Sequence, residues 1–220
     1  MDEISRQPYR RLLSILLATE LHSPMAFHVH TVKKLPPVYK GTPRPAIAVA
    51  GRSNVGKSTL INLLLNRKVA ATSKQPGRTR GVHRFLVNER WDLVDLPGYG
   101  FAKVGEDLRS QWRGMVSEFL VGHGNLCQLL ILVDSRRGLM ELDSEMMQWA
   151  IEERVGASIV LTKIDKLKQN ERSKIIRTVQ HSVGEKVPVF PVSAMKREGI
   201  VELNDALEKW WAEDTFDRGI

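Results

Sequence analysis

With a single cysteine, Cys127, in 220 residues, the chain can form no intramolecular disulfide and offers no thiol cluster for structural zinc or an iron–sulfur centre. A reducing compartment, the cytoplasm, suits such a chain. Long apolar runs are also missing, since none reaches the roughly eighteen residues that a membrane-spanning helix needs. No membrane association is expected. The nearest run, Leu12 to Ala18, superficially resembles the core of a signal peptide, but Asp2 and Glu3 stand where a positive segment belongs, and Glu20 and His22 replace a small-residue cleavage site. Internal repeats and low-complexity tracts are absent, and 42% hydrophobic residues suffice for the core of one ordinary domain, so a mostly disordered chain is excluded. Acidic residues are in deficit, 25 against 33 Lys and Arg, leaving a net charge of +8. Such an excess points either to a polyanionic partner or to a surface merely kept soluble by charge.

Proline is concentrated in one place: Pro36, Pro37, Pro43 and Pro45 fall between Leu35 and Pro45. Such a segment cannot donate regular backbone hydrogen bonds and reads as extended linker. The chain divides into an N-terminal arm (1–24), a Pro-rich linker (25–45), a folded domain (46–212) and a short tail (213–220). In the arm, Leu12, Leu13, Leu16 and Leu17 lie at helical spacing between Arg6 and Glu20; an amphipathic helix, a poorly ordered tail and an extension ahead of Met25 all fit.

Beyond the linker, strand-like runs at Ala46–Ala50, Arg84–Val87, Trp91–Val94, Leu129–Val133, Ser158–Leu161 and Val187–Val192 alternate with helical periods at Lys57–Leu65, Asp107–Leu120, Leu142–Arg154, Asn170–Val183 and Ile200–Trp211. Continuous apolar strands are those covered on both faces, so the expectation is an α/β domain with a mostly parallel six-stranded sheet flanked by helices. Only Asn88, Glu89 and Arg90 separate the second and third strands. Three residues close a hairpin and not a parallel crossover, so one antiparallel edge strand is expected.

The strongest motif is Gly51-Arg52-Ser53-Asn54-Val55-Gly56-Lys57-Ser58, followed by Thr59, between an apolar strand and a helix. Its glycines let the backbone curl so that amide N–H groups face a phosphate chain at a helix N-terminus; Lys57 supplies a charge to the β- and γ-phosphates and the Ser58 hydroxyl ligates Mg²⁺. Asp95-Leu96-Pro97-Gly98 closes the third strand. There Asp95 can hold Mg²⁺ through water and Gly98 can offer its N–H to a γ-phosphate. By itself this short pattern is weak, because turns generate it often. Thr162-Lys163-Ile164-Asp165 ends the fifth strand, and an Asp165 carboxylate can accept from guanine N1–H and its 2-amino group, donors that adenine lacks on that edge. Lys163 can lay its stem on the base plane, and Ser193-Ala194-Met195 after the last strand can offer a backbone N–H to guanine O6, with Val192 at that strand's end also in the nucleotide site. Alone, Lys163 and Asp165 would read as a solvated turn. In register with the other motifs they select GTP.

These motifs, with Pro76-Gly77-Arg78-Thr79, Asp95-Leu96-Pro97-Gly98-Tyr99-Gly100, Asp134-Ser135-Arg136 and Lys196-Arg197-Glu198-Gly199-Ile200, give the chain a resemblance to the Ras-like, translation-factor-class (TRAFAC) GTPases. Within them it resembles the EngB (YihA/YsxC) family of bacterial ribosome-assembly GTPases, over about residues 25–211. The resemblance implies a P-loop G domain that binds GTP and Mg²⁺, hydrolyses GTP slowly and assembles the large ribosomal subunit, with a role in cell division and septation. It also implies that Gly77, Arg78 and Thr79 belong to the nucleotide site, Thr79 joining Ser58 on Mg²⁺, and that Lys57, Thr79 and Gly98 carry catalysis. Where Ras-type enzymes place a water-orienting glutamine, this chain has Tyr99. GTPases with an aromatic residue there and an asparagine at the position of Asn54 resemble one another in using K⁺, so two readings of Asn54 stand: a K⁺ ligand, or a residue that stabilises the loop. The chain departs from the family at Ser193-Ala194-Met195-Lys196, where Ser-Ser-Leu-Lys is expected, and before Met25, where it is longer.

Arg67, Lys68, Lys74, Arg78, Arg80 and Arg84 carry no acidic residue among them, and Lys33, Lys34, Lys40 and Arg44 add a second basic stretch. Ribosomal RNA is the partner that this charge and the resemblance imply; a solvated loop is the competing reading. Other functional readings are a nucleotide-gated RNA-binding module with incidental hydrolysis and a GTPase of tRNA modification or translation. A monomer is expected. His28 and His30 lack a third ligand nearby, Trp149, Trp210 and Trp211 fit helix faces packed on the sheet, and Cys127 reads as a buried small hydrophobe.

Overall fold

The computed structural model describes residues 29–31, 44–68, 70, 82–88, 91–99, 114 and 126–217. Their elements run β1 (Val29–Thr31), β2 (Ala46–Gly51), α1 (Lys57–Leu64), β3 (His83–Val87), β4 (Trp91–Asp95), β5 (Leu126–Asp134), α2 (Glu141–Glu152), β6 (Gly156–Thr162), a 3₁₀ turn (Ile164–Lys166), α3 (Gln169–Val183), β7 (Val189–Pro191) and α4 (Ile200–Asp217). The strands form one sheet in the order β1-β3-β4-β2-β5-β6-β7. All six expected strands are present, and β3 runs against its neighbours as the three-residue connection requires. The added strand is β1, which lies in the segment read as linker and pairs antiparallel with β3, Val29 opposite Val87 and Thr31 opposite Phe85. The antiparallel strand is therefore one place in from the edge. The expected helix at 107–120 and the arm at 1–24 lie outside the described residues, except for Gly114, which is helical.

Side chains alternate across β2, so Ile47 and Val49 face one layer while Ala46, Ala48 and Ala50 face the other, and all five are fully buried. This is why the strand reads as an unbroken apolar run. On the first face, α1 and α4 pack through Leu60, Ile61, Leu64, Leu203, Leu207 and Trp211. Opposite them, α2 and α3 contribute Met146, Met147, Ala150 and Val179. Trp211 stacks on Trp91 with ring centroids 5.2 Å apart, and Trp210 meets Phe190 edge-on at 5.9 Å. Trp149 packs, partly buried, on the opposite face. Cys127 is half-buried and its thiol donates to the Ala46 carbonyl at 3.0 Å.

Helix boundaries follow from local chemistry. At the start of α2, Asp143 Oδ2 accepts the Met140 N–H at 3.0 Å, and at the start of α3, Glu171 Oε2 accepts the Lys168 N–H at 2.7 Å; each acidic residue also complements the positive end of its helix. Because β2, β4, β5, β6 and β7 are parallel, their carboxyl ends lie along one edge of the sheet. Loops there converge, and ligands of open α/β sheets bind at such an edge.

Candidate functional site

Residues 52–56 link β2 to α1 at the carboxyl end of a central strand. At Gly51 an added Cβ would stand 2.9 Å from Val55 Cγ1 and 3.0 Å from Leu132 Cβ, so the loop closes tightly only on glycine. Gly56 caps α1 with φ at 113°, a conformation that side chains rarely adopt. Val55 is buried beneath the loop, and its carbonyl accepts the Thr162 hydroxyl at 2.8 Å; the same hydroxyl lies 3.2 Å from the Val133 carbonyl. Exposed Asn54 is left-handed, φ 65°, as asparagine tolerates, and its carbonyl accepts from Lys163 Nζ at 2.6 Å. Its side chain makes no hydrogen bond among the described residues, and the loop here is held through its carbonyls, by Lys163 at Asn54 and by Thr162 at Val55. A curled loop at the N-terminus of an eight-residue helix is a cradle for phosphate.

Buried Lys57 places Nζ 3.3 Å from Oδ1 of buried Asp95 at the end of β4. Burial pushes the Asp95 carboxyl above its usual range, against the pull of Lys57, and Oδ1 has no hydrogen bond. Ser58 and Thr59 follow in the first turn of α1. Past Asp95 the chain stays zipped to its neighbours: Leu96 N–H donates to the Val49 carbonyl at 3.0 Å, Ser53 N–H to the Tyr99 carbonyl at 3.0 Å, and Tyr99 N–H to the Gly51 carbonyl at 3.3 Å. Pro97 and Gly98 lie within this stretch. A Cβ on Gly98 would stand 3.0 Å from Ser53 Oγ, so the loop presses against the phosphate loop.

Farther along the edge, Asp165 Oδ1 accepts the Ser193 hydroxyl at 2.7 Å. That bond, with lesser help from Lys166, holds the Asp165 carboxyl below its usual range. Ile164 N–H donates to the Val192 carbonyl at 3.2 Å, which joins the two loops. Ser193 N–H is taken by the Glu198 carbonyl, whereas Ala194 N–H has no backbone acceptor among the described residues. Gly199 allows this return: its φ is 71°, and a Cβ there would strike the Pro191 carbonyl.

One edge thus gathers Gly51–Thr59, Asp95–Gly98, Thr162–Asp165 and Val192–Ala194. Gly77, Arg78 and Thr79 lie outside the described residues. One sequence reading needs correction. Arg84, counted with the exposed basic loop, is only 7% exposed and faces Asp92, Nη1 to Oδ2 3.6 Å; Arg44 Nε lies 3.7 Å from the other oxygen of that carboxylate. On a strand inside a covered sheet, an arginine is turned into its partner. Tyr99, which follows Gly98 where Ras-type enzymes place a glutamine, is 3% exposed within the core beside α2, and its hydroxyl donates to Asp143 Oδ1 at 2.6 Å. Burial, then the neighbouring carboxylate, pushes the Tyr99 hydroxyl well above its usual range.

Two residues of this network have no role in the sequence reading. Asp134, at the end of β5, accepts from Lys163 Nζ at 3.0 Å and from Arg136 Nε and Nη2 at 2.9 and 2.6 Å. Lys163 therefore bridges the base end to the phosphate loop, beyond the stacking foreseen for its stem. The signal was a carboxylate at the carboxyl end of a parallel strand. Asp143 carries no comparable signal, since its link to Tyr99 spans 44 positions.

Comparison with known proteins agrees with this geometry. A family described as "50S ribosome-binding GTPase" matches residues 46–163, and the "Elongation factor Tu GTP binding domain" matches residues 119–213. The chain is 38% identical to "Probable GTP-binding protein EngB" of Thermosipho africanus over 82% of its own length and 93% of that protein. A crystal structure of a probable GTP-binding protein engB superposes with a TM-score of 0.64 at 26% identity, covering 76% of this chain and 99% of the other. Era, in complex with MgGDPNP and nucleotides 1506–1542 of 16S ribosomal RNA, superposes with a TM-score of 0.60 at 25% identity, covering 77% of this chain and 57% of Era. The phosphate loop, the guanine-type loops and these likenesses agree: the chain belongs to the EngB family of GTP-binding proteins and is a GTP-hydrolysing enzyme.

Proposed function

We propose that this GTPase is an assembly factor for the large ribosomal subunit, binding pre-ribosomal RNA in its GTP form and leaving after hydrolysis. In this reading Gly51–Thr59 hold the phosphates, Thr162–Asp165 with Val192–Ala194 hold guanine, and Asp165 accepts from the base. Gly77, Arg78 and Thr79 complete the site from the switch segment. The observation that carries the nucleotide assignment is the buried Lys57–Asp95 pair beneath a phosphate loop tied by Lys163 to the base end.

Mg²⁺ fits the residues present. Buried Asp95 Oδ1 faces the Lys57 ammonium at 3.3 Å, and Ser58 lies in the first turn of the adjacent helix. No group of three His, Cys, Asp or Glu among the described residues could hold a metal alone. Mg²⁺ suits this, because it binds through one or two protein ligands, waters and substrate phosphates. Ser58 and Thr79 would ligate it directly and Asp95 through water; when bound, it neutralises charge on the β- and γ-phosphates. Lys57 adds its own charge, and Gly98 and Thr79 sense the γ-phosphate while water attacks in line. Without a glutamine after Gly98, intrinsic turnover is slow. Asn54, whose side chain is free of hydrogen bonds among the described residues, would ligate K⁺ in this reading. Comparable turnover in K⁺, Na⁺ and choline buffers would exclude that role.

The ribosomal partner is supported by the 50S-binding family that spans residues 46–163 and by the excess of basic residues, Arg67, Lys68, Lys74, Arg78 and Arg80 among them. Action as a monomer in the cytoplasm, with cell division depending on ribosome supply, completes the proposal. Sedimentation with purified large subunits tests it: the GTP-loaded protein binds more tightly than the GDP-loaded one, and affinity falls steeply with salt as phosphate contacts are screened. Equal binding of both forms, or binding indifferent to salt, would refute it.

A further inference from the structure

Tyr99 belongs at once to two parts of the molecule. Its backbone is zipped to the phosphate loop through Ser53 and Gly51, and its ring is buried against α2, where its hydroxyl donates to Asp143 Oδ1 at 2.6 Å. The other oxygen of Asp143 accepts the Met140 N–H, so the carboxylate is fixed by the start of α2. Arg52 of the phosphate loop reaches the Met140 sulfur across the same junction, and its charge bears on both Tyr99 and Asp143. Between these anchors sits Gly98, pressed against Ser53.

We propose that Asp143 is a positioning residue for GTP, holding Tyr99 so that the loop at 95–99 stands against the phosphate loop before nucleotide arrives. The inference rests on the reading of Gly98 as the γ-phosphate contact. A loop already in place has little conformational freedom left to lose when its N–H meets a γ-phosphate. GDP has no γ-phosphate and gains nothing from that order. The anchor therefore raises affinity for GTP selectively, and the position after Gly98 serves as a tether to α2.

The test is equilibrium titration of ribose-labelled fluorescent GDP and a non-hydrolysable GTP analogue against wild type, Tyr99→Phe, Asp143→Asn and the double variant. Losing one buried hydrogen bond to a carboxylate should weaken the analogue about tenfold in either single variant, and GDP by less than about twofold. The double variant should be no worse than the singles, because both break one bond. Equal losses for both nucleotides, additive losses or unchanged affinities would overturn the proposal. Tyr99→Phe leaves the α2 cap intact and decides the matter if Asp143→Asn does not fold. Gly98→Pro, which lacks the N–H, beside Gly98→Ala, which keeps it and adds a Cβ near Ser53 all the same, separates the underlying reading. If Gly98→Pro binds the analogue as Gly98→Ala does, the Gly98 N–H is not the contact and the reading beneath the proposal fails; if Gly98→Pro loses the analogue while Tyr99→Phe keeps it, the contact stands and the tether is refuted.

Discussion

Thr162→Val tests how the phosphate loop is supported. Valine copies the shape of threonine and suits the end of β6, so the change removes a hydroxyl and little else. That hydroxyl donates to the Val55 carbonyl at 2.8 Å in a region from which water is excluded, and the carbonyl is left without this donor. An unsatisfied buried acceptor costs about 1–3 kcal/mol. Taking 2 kcal/mol as the central figure, and about 2–4 °C per kcal/mol for a domain of this size, the ligand-free melting temperature should fall by about 4–8 °C. The loop has also lost its tie to the sheet, so GDP should bind about tenfold more weakly and its stabilising effect shrink by about 1.4 kcal/mol. Ser158→Ala is the control, because Ser158 accepts from Gln128 Nε2 at 2.7 Å in the same strand and away from the loop. Thermal melts with and without GDP should show both variants destabilised and only Thr162→Val with a reduced GDP shift. If the two variants behave alike, the Thr162 hydroxyl supports the core and not the site.

Two further outcomes are expected. Trp211→Ala should lose about 3–5 kcal/mol in urea unfolding, since the side chain is 1% exposed and stacked on Trp91; a loss under about 1 kcal/mol would mean that the end of α4 does not pack as described. For Asp134, burial acts to raise the carboxyl, but hydrogen bonds from Arg136 and Lys163 outweigh it and hold the group below the usual range. A carboxyl depressed in the fold stabilises above its unfolded value near pH 4 and loses that contribution as pH falls further. The stability gap between wild type and Asp134→Asn should thus be constant from about pH 7 to 5 and close below about pH 4. A gap that persists in acid would show that ionisation of Asp134 is not what the interaction needs.

What could be read in the sequence follows the range of the interactions. The phosphate loop, the Asp95–Gly98 turn and the Thr162–Asp165 turn are local patterns whose glycines, lysine and carboxylates name their own chemistry. The six-stranded sheet was legible because strands covered on both faces are continuously apolar, as at Ala46–Ala50. Val29–Thr31 was not, because a three-residue strand added at an edge leaves no periodicity. Arg84 was misread because a buried ion pair with Asp92 looks, in sequence, like surface charge. The tie from Tyr99 to Asp143 was not legible for a related reason: it depends on how α2 packs, 44 positions along the chain.

Turnover of GTP by the purified protein, with and without large ribosomal subunits and beside Asp165→Asn, tests the central claim most directly. The account predicts slow intrinsic hydrolysis, stimulation by large subunits, and loss of both in Asp165→Asn. Turnover unchanged by subunits, in a protein that binds GTP normally, would leave the GTPase intact and contradict its assignment to the ribosome.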